Sequence, residues 1–291
     1  MADYDTVLRG GMIYDGNGGD PYQADLAIQE DMIAAIEPAG TLTGKTVIDV
    51  DGLAVAPGFI NMLSWATESL LIDGNSQSDI RQGVTLEVMG EGQSMGPLND
   101  EMKRRRRDMI IENPNADYDI AWTTLGDYLE HLENLGVAPN VASFVGSATL
   151  RVYAIGFEDR DPTPDELDLM KRLTHEAMQE GAMGLATALI YPPANFAKTA
   201  ELIELAKVVS QYDGLYISHI RSEGSQILEA LEEFMTITRE GDIRSEVYHL
   251  KAAGVQNWPL MDQVIERIEA ARAEGLEVTA DMYTYPASGT G

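Results

Sequence analysis

The chain has no cysteine in its 291 residues, which excludes disulfides and thiolate metal ligands. Basic residues are scarce: Lys and Arg number 20 against 48 Asp and Glu, for a formal net charge of −28. Only six of those twenty are lysine. A surface of this sign repels phosphate backbones, so no nucleic-acid partner is expected. Few lysines among many carboxylates also suit a high-salt habitat, where ions screen self-repulsion. No run of 18 apolar residues occurs, so no membrane helix and no membrane partner are expected. The opening Met-Ala-Asp-Tyr-Asp has neither the basic nor the apolar segment of a secretory leader, so the cytoplasm is the expected location.

What is present divides in two. Residues 1–56 hold short β-type runs, such as Asp5 to Arg9, Asp25 to Ile28 and Thr46 to Val50, separated by turns such as Asp15-Gly and Asp51-Gly. This reads as a small N-terminal sheet or sandwich. From residue 57 to 291 strands alternate with helices, which predicts an α/β fold with a parallel sheet. Strand candidates end near Ile60, Met89, Val145, Thr187, His219, Val247 to His249, and Ala280. One helix opens on Thr163, Pro164 and Glu166, a capping box with proline at its first position. Gly214, Gly241 and Gly275 are expected as left-handed helix ends. The basic run Lys103 to Arg107 is read as a solvated helix face paired with nearby acids.

Four histidines occur in the chain, and two stand out. His219 closes the run Leu215-Tyr-Ile-Ser, His249 closes Glu246-Val-Tyr, and Asp281 closes Glu277-Val-Thr-Ala. They lie thirty and thirty-two positions apart, about one strand-helix-strand period. That spacing puts all three at one end of neighbouring parallel strands, where a barrel enzyme assembles its chemistry. Two imidazoles and a carboxylate at one barrel mouth read as a metal site. The alternatives are a pair of buried, hydrogen-bonded core histidines, and a structural or ligand-orienting role for Asp281. His131 and His175 fall off the apolar faces of their helices and are read as solvent-exposed.

Several motifs carry a family resemblance. Ala56-Pro-Gly-Phe-Ile-Asn61 resembles the first barrel strand of the amidohydrolase superfamily. Gln82 to Thr85, Gly184 to Pro193, Ser218 to Glu223, Tyr248 to Gly254 and Asp281 to Pro286 resemble its N-acyl-D-amino-acid deacylase branch. The resemblance implies a (β/α)8 TIM-type barrel with a small N-terminal β domain. It implies metal-ligand roles for His219 and His249, and substrate-pocket positions for Tyr191, Lys251, Tyr283 and Ser288. Arg221 lies beside the first ligand, and Arg151 stands at another matching position. The implied reaction is hydrolysis of the amide of an N-acyl amino acid. Tyr191 would donate to the oxyanion, Lys251 and Arg221 would bind the substrate carboxylate, and the proton shuttle would be an acid from the eighth strand, absent from this chain, or Asp281 in its place.

The departures matter equally. Leu63 and Trp65 occupy the places of the superfamily's His-x-His pair, and Ser147 that of another histidine. The bridging cysteine is absent, and Glu91 lies within one residue of its position. At most a single zinc ion is therefore expected, held by His219, His249 and Glu91, with a pocket-lining or cap role as the alternative for Glu91, and the second metal site lost. Seven strands are counted where a closed barrel needs eight, so the chain reads as the first part of a longer protein. An oligomer or a complementary chain supplying the missing strand is an expected partner. The alternative function is a non-catalytic relative that binds a small molecule.

Overall fold

The computed structural model describes residues 4–112, 116–285, 287 and 289. The chain divides into two compact units, Met1–Phe59 and Ile60–Gly291.

The first unit is a five-stranded sheet of β1 (Tyr4–Ile13), β2 (Tyr22–Gln29), β3 (Met32–Pro38), β4 (Gly44–Asp49) and β5 (Ala54–Val55). β1 is antiparallel to β2 and parallel to β4 and β5. A break in register between Leu8 and Gly11 bends β1. Ile13, Ala24 and Leu26 make a small core. Asp25 is buried beside it and accepts backbone N–H bonds from Gly10, Gly40 and Leu42 at 2.9–3.1 Å. Those bonds hold its carboxyl below the ordinary range, although burial pushes the other way.

The second unit carries seven strand positions among the described residues. A three-stranded sheet holds β6 (Phe59–Asn61), β7 (Val84–Met89) and β8 (Asn140–Ser143). A five-stranded sheet holds β9 (Val145–Gly146), β10 (Gly184–Ala188), β11 (Leu215–His219), β12 (Arg244–Val247) and β13 (Val278–Ala280). The pairings from β7 to β8 and from β9 to β13 are all parallel. Phe144 splits the third position into β8 and β9. It still bonds to Met89 O at 2.9 Å, while Ser143 O accepts from Met183 N at 2.9 Å. This is the α/β, barrel-type architecture expected from the strand and helix pattern.

Helices fill the connections. They are α1 (Ser69–Ile72), α2 (Gln77–Ile80), α3 (Asp100–Glu112), α4 (Leu125–Leu135), α5 (Ser147–Ala154), α6 (Pro164–Gln179), α7 (Thr199–Ser210), α8 (Ile227–Gly241) and α9 (Met261–Ala273). Their apolar faces pack against strand residues such as Leu185, Tyr216 and Val247 in one extensive core. The capping box forms at α6: Glu166 N–H donates to Thr163 Oγ1 at 3.3 Å, and Thr163 N–H to Glu166 Oε2 at 2.7 Å. In α3, Arg104 and Arg105 pair with Glu101 of the same helix, and Arg107 pairs with Asp119. No helix among the described residues is long and apolar enough to cross a membrane.

The glycine expectation is corrected at two of three positions. Gly275 takes φ +97°. After α7 and α8, however, the left-handed residues are Asp213 (φ +54°) and Asp242 (φ +49°), a conformation short polar side chains tolerate. Gly214 and Gly241 answer to space instead. A Cβ on them would come within 2.5 Å of Val209 Cγ1 and 2.8 Å of Ala206 Cβ respectively.

Candidate metal centre

Three strand ends and one loop converge in the second unit. His219 is the last residue of β11 and is buried. His249 lies two residues beyond β12 at φ +37°, a left-handed conformation unfavourable for histidine. Its backbone N–H donates to Asp281 Oδ1 at 2.7 Å. Asp281 is itself stitched to the same turn: its N–H donates to Val247 O and its carbonyl accepts from Leu250 N–H. The strain at His249 is thus held by the residue that follows β13. Glu91 comes from the loop after β7, between Gly90 (φ +110°) and Gly92 (φ +64°). A Cβ on Gly90 would lie 2.5 Å from Phe144 O, so only glycine lets this loop pass close to β8 and turn Glu91 inward.

The donor atoms meet at Glu91. Its Oε1 lies 3.0 Å from His219 Nδ1 and 3.3 Å from His249 Nε2. The two imidazoles stand edge to face with centroids 4.5 Å apart. Glu91, His219 and His249 each offer one ligand atom, all within 4.8 Å of one another. Burial pushes the Glu91 carboxyl up, but hydrogen bonds from His219, His249 and Trp65 outweigh it and hold the group at about 2. Burial likewise opposes charge on His249, yet the Glu223 and Glu91 carboxylates raise it to about 9. Two imidazole nitrogens and one ionised carboxylate are a donor set that suits zinc, with room for a further ligand. The residues present therefore fit one borderline divalent cation.

Glu223 is the functional candidate that sequence reasoning missed. Its Oε1 lies 3.0 Å from His249 Nδ1 and 2.6 Å from Lys251 Nζ. That contact holds a proton on Nδ1, so that Nε2, which faces Glu91, is the nitrogen that would give up its proton to a cation. Burial pushes Glu223 up, but the His249 and Lys251 hydrogen bonds bring it below its ordinary value. The signal available was position alone, four residues after His219.

A cavity of about 910 Å³ opens over the cluster. Glu91, His219, His249, Lys251, Asp281 and Tyr283 are among its lining residues. A second cavity of about 420 Å³ shares Trp65, Glu91 and Tyr191 with the first. Tyr191 meets the His219 ring edge-on at 5.3 Å. Lys251 Nζ donates to Glu223 and to His249 O, and sits 5.5 Å above the Tyr283 ring. The carboxylate that joins the imidazoles is Glu91, whereas Asp281 accepts the His249 backbone N–H and lines the cavity beside it. Burial pushes the Asp281 carboxyl up, and the nearby Glu91 charge adds to the effect.

Two expected substrate cations are engaged elsewhere. Arg221 donates to both oxygens of Glu233 and to the carbonyls of Asn195 and Ala197, and it does not line the 910 Å³ cavity. Arg151 is buried against Glu201 at 2.6 Å and donates to the carbonyls of Glu158 and Arg160. Each guanidinium is turned from the cavity by an acid on a neighbouring helix. Ser288 lies outside the described residues. His131 and His175 are half-buried rather than exposed. His131 packs on Trp122 at 5.3 Å, and His175 Nδ1 is 3.0 Å from the Tyr212 hydroxyl.

Comparison with known proteins matches this geometry to a lineage. No family model matches the chain. A D-aminoacylase of Alcaligenes xylosoxydans xylosoxydans is 36% identical over 288 residues, covering 99% of this chain and 58% of the relative. A solved D-aminoacylase, studied for a binuclear metal centre with one-metal activation and second-metal attenuation, superposes with a TM-score of 0.87 at 34% identity. That match covers 97% of this chain and 59% of the other. An N-acyl-D-glutamate deacylase of Bordetella bronchiseptica, solved with zinc and a phosphonate mimic of the tetrahedral intermediate, gives 0.85 at 31% identity over 98% and 59%. The chain thus spans a little under three fifths of the length of the relatives it matches. It belongs to the amidohydrolase superfamily, in its D-aminoacylase-like branch.

Proposed function

We propose that the protein is a metal-dependent amide hydrolase that removes the acyl group from an N-acyl-D-amino acid. The proposed centre is one zinc ion held by Glu91 Oε1, His219 Nδ1 and His249 Nε2. The observation that carries this reading is the convergence of one ligand atom from each of Glu91, His219 and His249 within 4.8 Å, in residues that line a 910 Å³ cavity. The D configuration and the N-acyl substrate are supported by the relatives' activities.

When bound, the ion supplies Lewis acidity: it brings a water's pKa toward neutrality and polarises the scissile carbonyl. The residues of this chain do the rest. Glu223 keeps the His249 ring in one tautomer. Lys251 Nζ donates to Glu223 Oε1 and His249 O and lies 3.0 Å from His249 Nδ1. As the cation lining the cavity it pairs by charge with the substrate carboxylate, with Tyr283 closing the pocket beside it. The Tyr191 hydroxyl donates to the developing oxyanion. Asp281, its carboxyl raised by burial, takes a proton from the attacking water and passes it to the amine as the C–N bond breaks. The products are a carboxylate and a free D-amino acid.

The test uses the intact protein. One zinc per chain is expected, with hydrolysis of N-acetyl-D-amino acids that chelation removes and zinc restores. His219→Ala and His249→Ala each lose the metal and the activity. Full turnover in both variants would end the proposal.

A further inference from the structure

The two oxygens of Glu91 have different surroundings. Oε1 faces the imidazoles, while Oε2 accepts the indole N–H of Trp65 at 2.8 Å. An indole N–H donates and cannot ligate a cation. The oxygen it holds is committed to Trp65, and only the other is aimed at the imidazoles.

This arrangement is fixed on both sides by one strand. Ser64 precedes Trp65, and its backbone N–H donates to Val88 O at 2.8 Å on β7. The Ser64 hydroxyl donates to Glu87 Oε2 at 2.6 Å, and the buried Glu87 takes the Ser76 hydroxyl on its other oxygen. β7 then runs through Val88 and Met89 into the Gly90-Glu91-Gly92 turn. Donor and acceptor therefore hang from the same strand, and Trp65 reaches Glu91 although its own side is half open to solvent.

We propose that Trp65 is a positioning residue that makes Glu91 a one-oxygen ligand and thereby sets the centre to a single ion. This rests on the metal reading of the site given above. A carboxylate that bridges two ions, or that chelates one through both oxygens, needs Oε1 and Oε2 together. Trp65 withholds Oε2 through a charge-assisted hydrogen bond, and Leu63 beside it offers no donor.

The experiment is metal titration of the intact protein as wild type and as Trp65→Phe, which keeps a ring and deletes the N–H. Zinc stoichiometry and affinity are measured by chelator competition, and the site is also loaded with Co²⁺ for its visible absorption. The wild type should take one ion. Trp65→Phe should bind zinc roughly tenfold more weakly. Its cobalt bands should weaken and shift as Glu91 swings to two-oxygen ligation, a change that loss of packing alone would not produce. Ser64→Ala, which loosens the clamp and keeps the indole, should move both readouts the same way by less, and it carries the test if Trp65→Phe does not fold. A wild type binding one ion, with unchanged affinity and cobalt spectrum in the variants, overturns the role of Trp65. Two ions in the wild type overturn it while leaving a metal centre standing. No ion in the wild type overturns the metal reading itself.

Discussion

Arg151 and Lys251 each pair with a glutamate at 2.6 Å, and their surroundings differ in every other respect. The Arg151–Glu201 pair is closed off, with side chains 1% and 4% exposed. It ties α5 to α7 and to the carbonyls of Glu158 and Arg160. Burial pushes the Glu201 carboxyl up despite its arginine. The Lys251–Glu223 pair is 24% and 12% exposed and faces a cavity. There Glu223 is brought down, because His249 and Lys251 both bond to it. Charge pairing by itself does not mark a functional site. What separates the two is setting: Glu223 serves an imidazole as well as a cation, and Lys251 lines a cavity.

The sharpest way to break this contrast is to remove the buried arginine. Arg151→Met leaves Glu201 charged and unpaired in the core, which costs about 3–5 kcal/mol of stability. Arg151→Met with Glu201→Leu should cost clearly less than the single change, because no orphan charge is left. Denaturant unfolding of the three proteins measures both. Zinc content per folded molecule should stay constant throughout. A drop in zinc affinity in the folded double variant would show that Arg151 serves the site after all.

Glu223→Gln probes the opposite member. It keeps the shape of the side chain and loses the charge that fixes His249. Zinc affinity should fall roughly tenfold to a hundredfold, while the unfolding midpoint changes little. A variant with wild-type affinity would mean that Asp281, through the His249 backbone N–H, positions the ring alone.

How much of this could be read from residues follows from what each signal depends on. Strand ends were legible because apolar runs and their spacing are local. The runs ending at His219, His249 and Asp281 place all three residues around the site. Glu91 was legible through the absence of cysteine near its position. Glu223 and the Trp65 indole were not, because where a loop side chain points depends on what it packs against. The same limit misplaced Arg221 and Arg151: their acids, Glu233 and Glu201, lie twelve and fifty residues away, beyond any short motif. Gly214 and Gly241 matched a capping pattern and were instead selected by the proximity of Val209 and Ala206.

Lys251→Met completes the comparison with the smallest structural effect. The side chain is partly exposed, and its apolar stem is kept, so stability should change by no more than about 0.5 kcal/mol. Glu223 loses one partner but keeps His249. In the proposed mechanism, however, the substrate carboxylate loses its cation. KM for N-acetyl-D-amino acids should rise roughly tenfold, the value of one charge-assisted hydrogen bond at a half-open site, with kcat much less affected. Zinc affinity should hold within a factor of a few. If kcat collapses instead with KM unchanged, Lys251 acts on the reacting centre through His249 rather than on the far end of the substrate. The open pair would then resemble the closed one, in that both ends are committed to the protein.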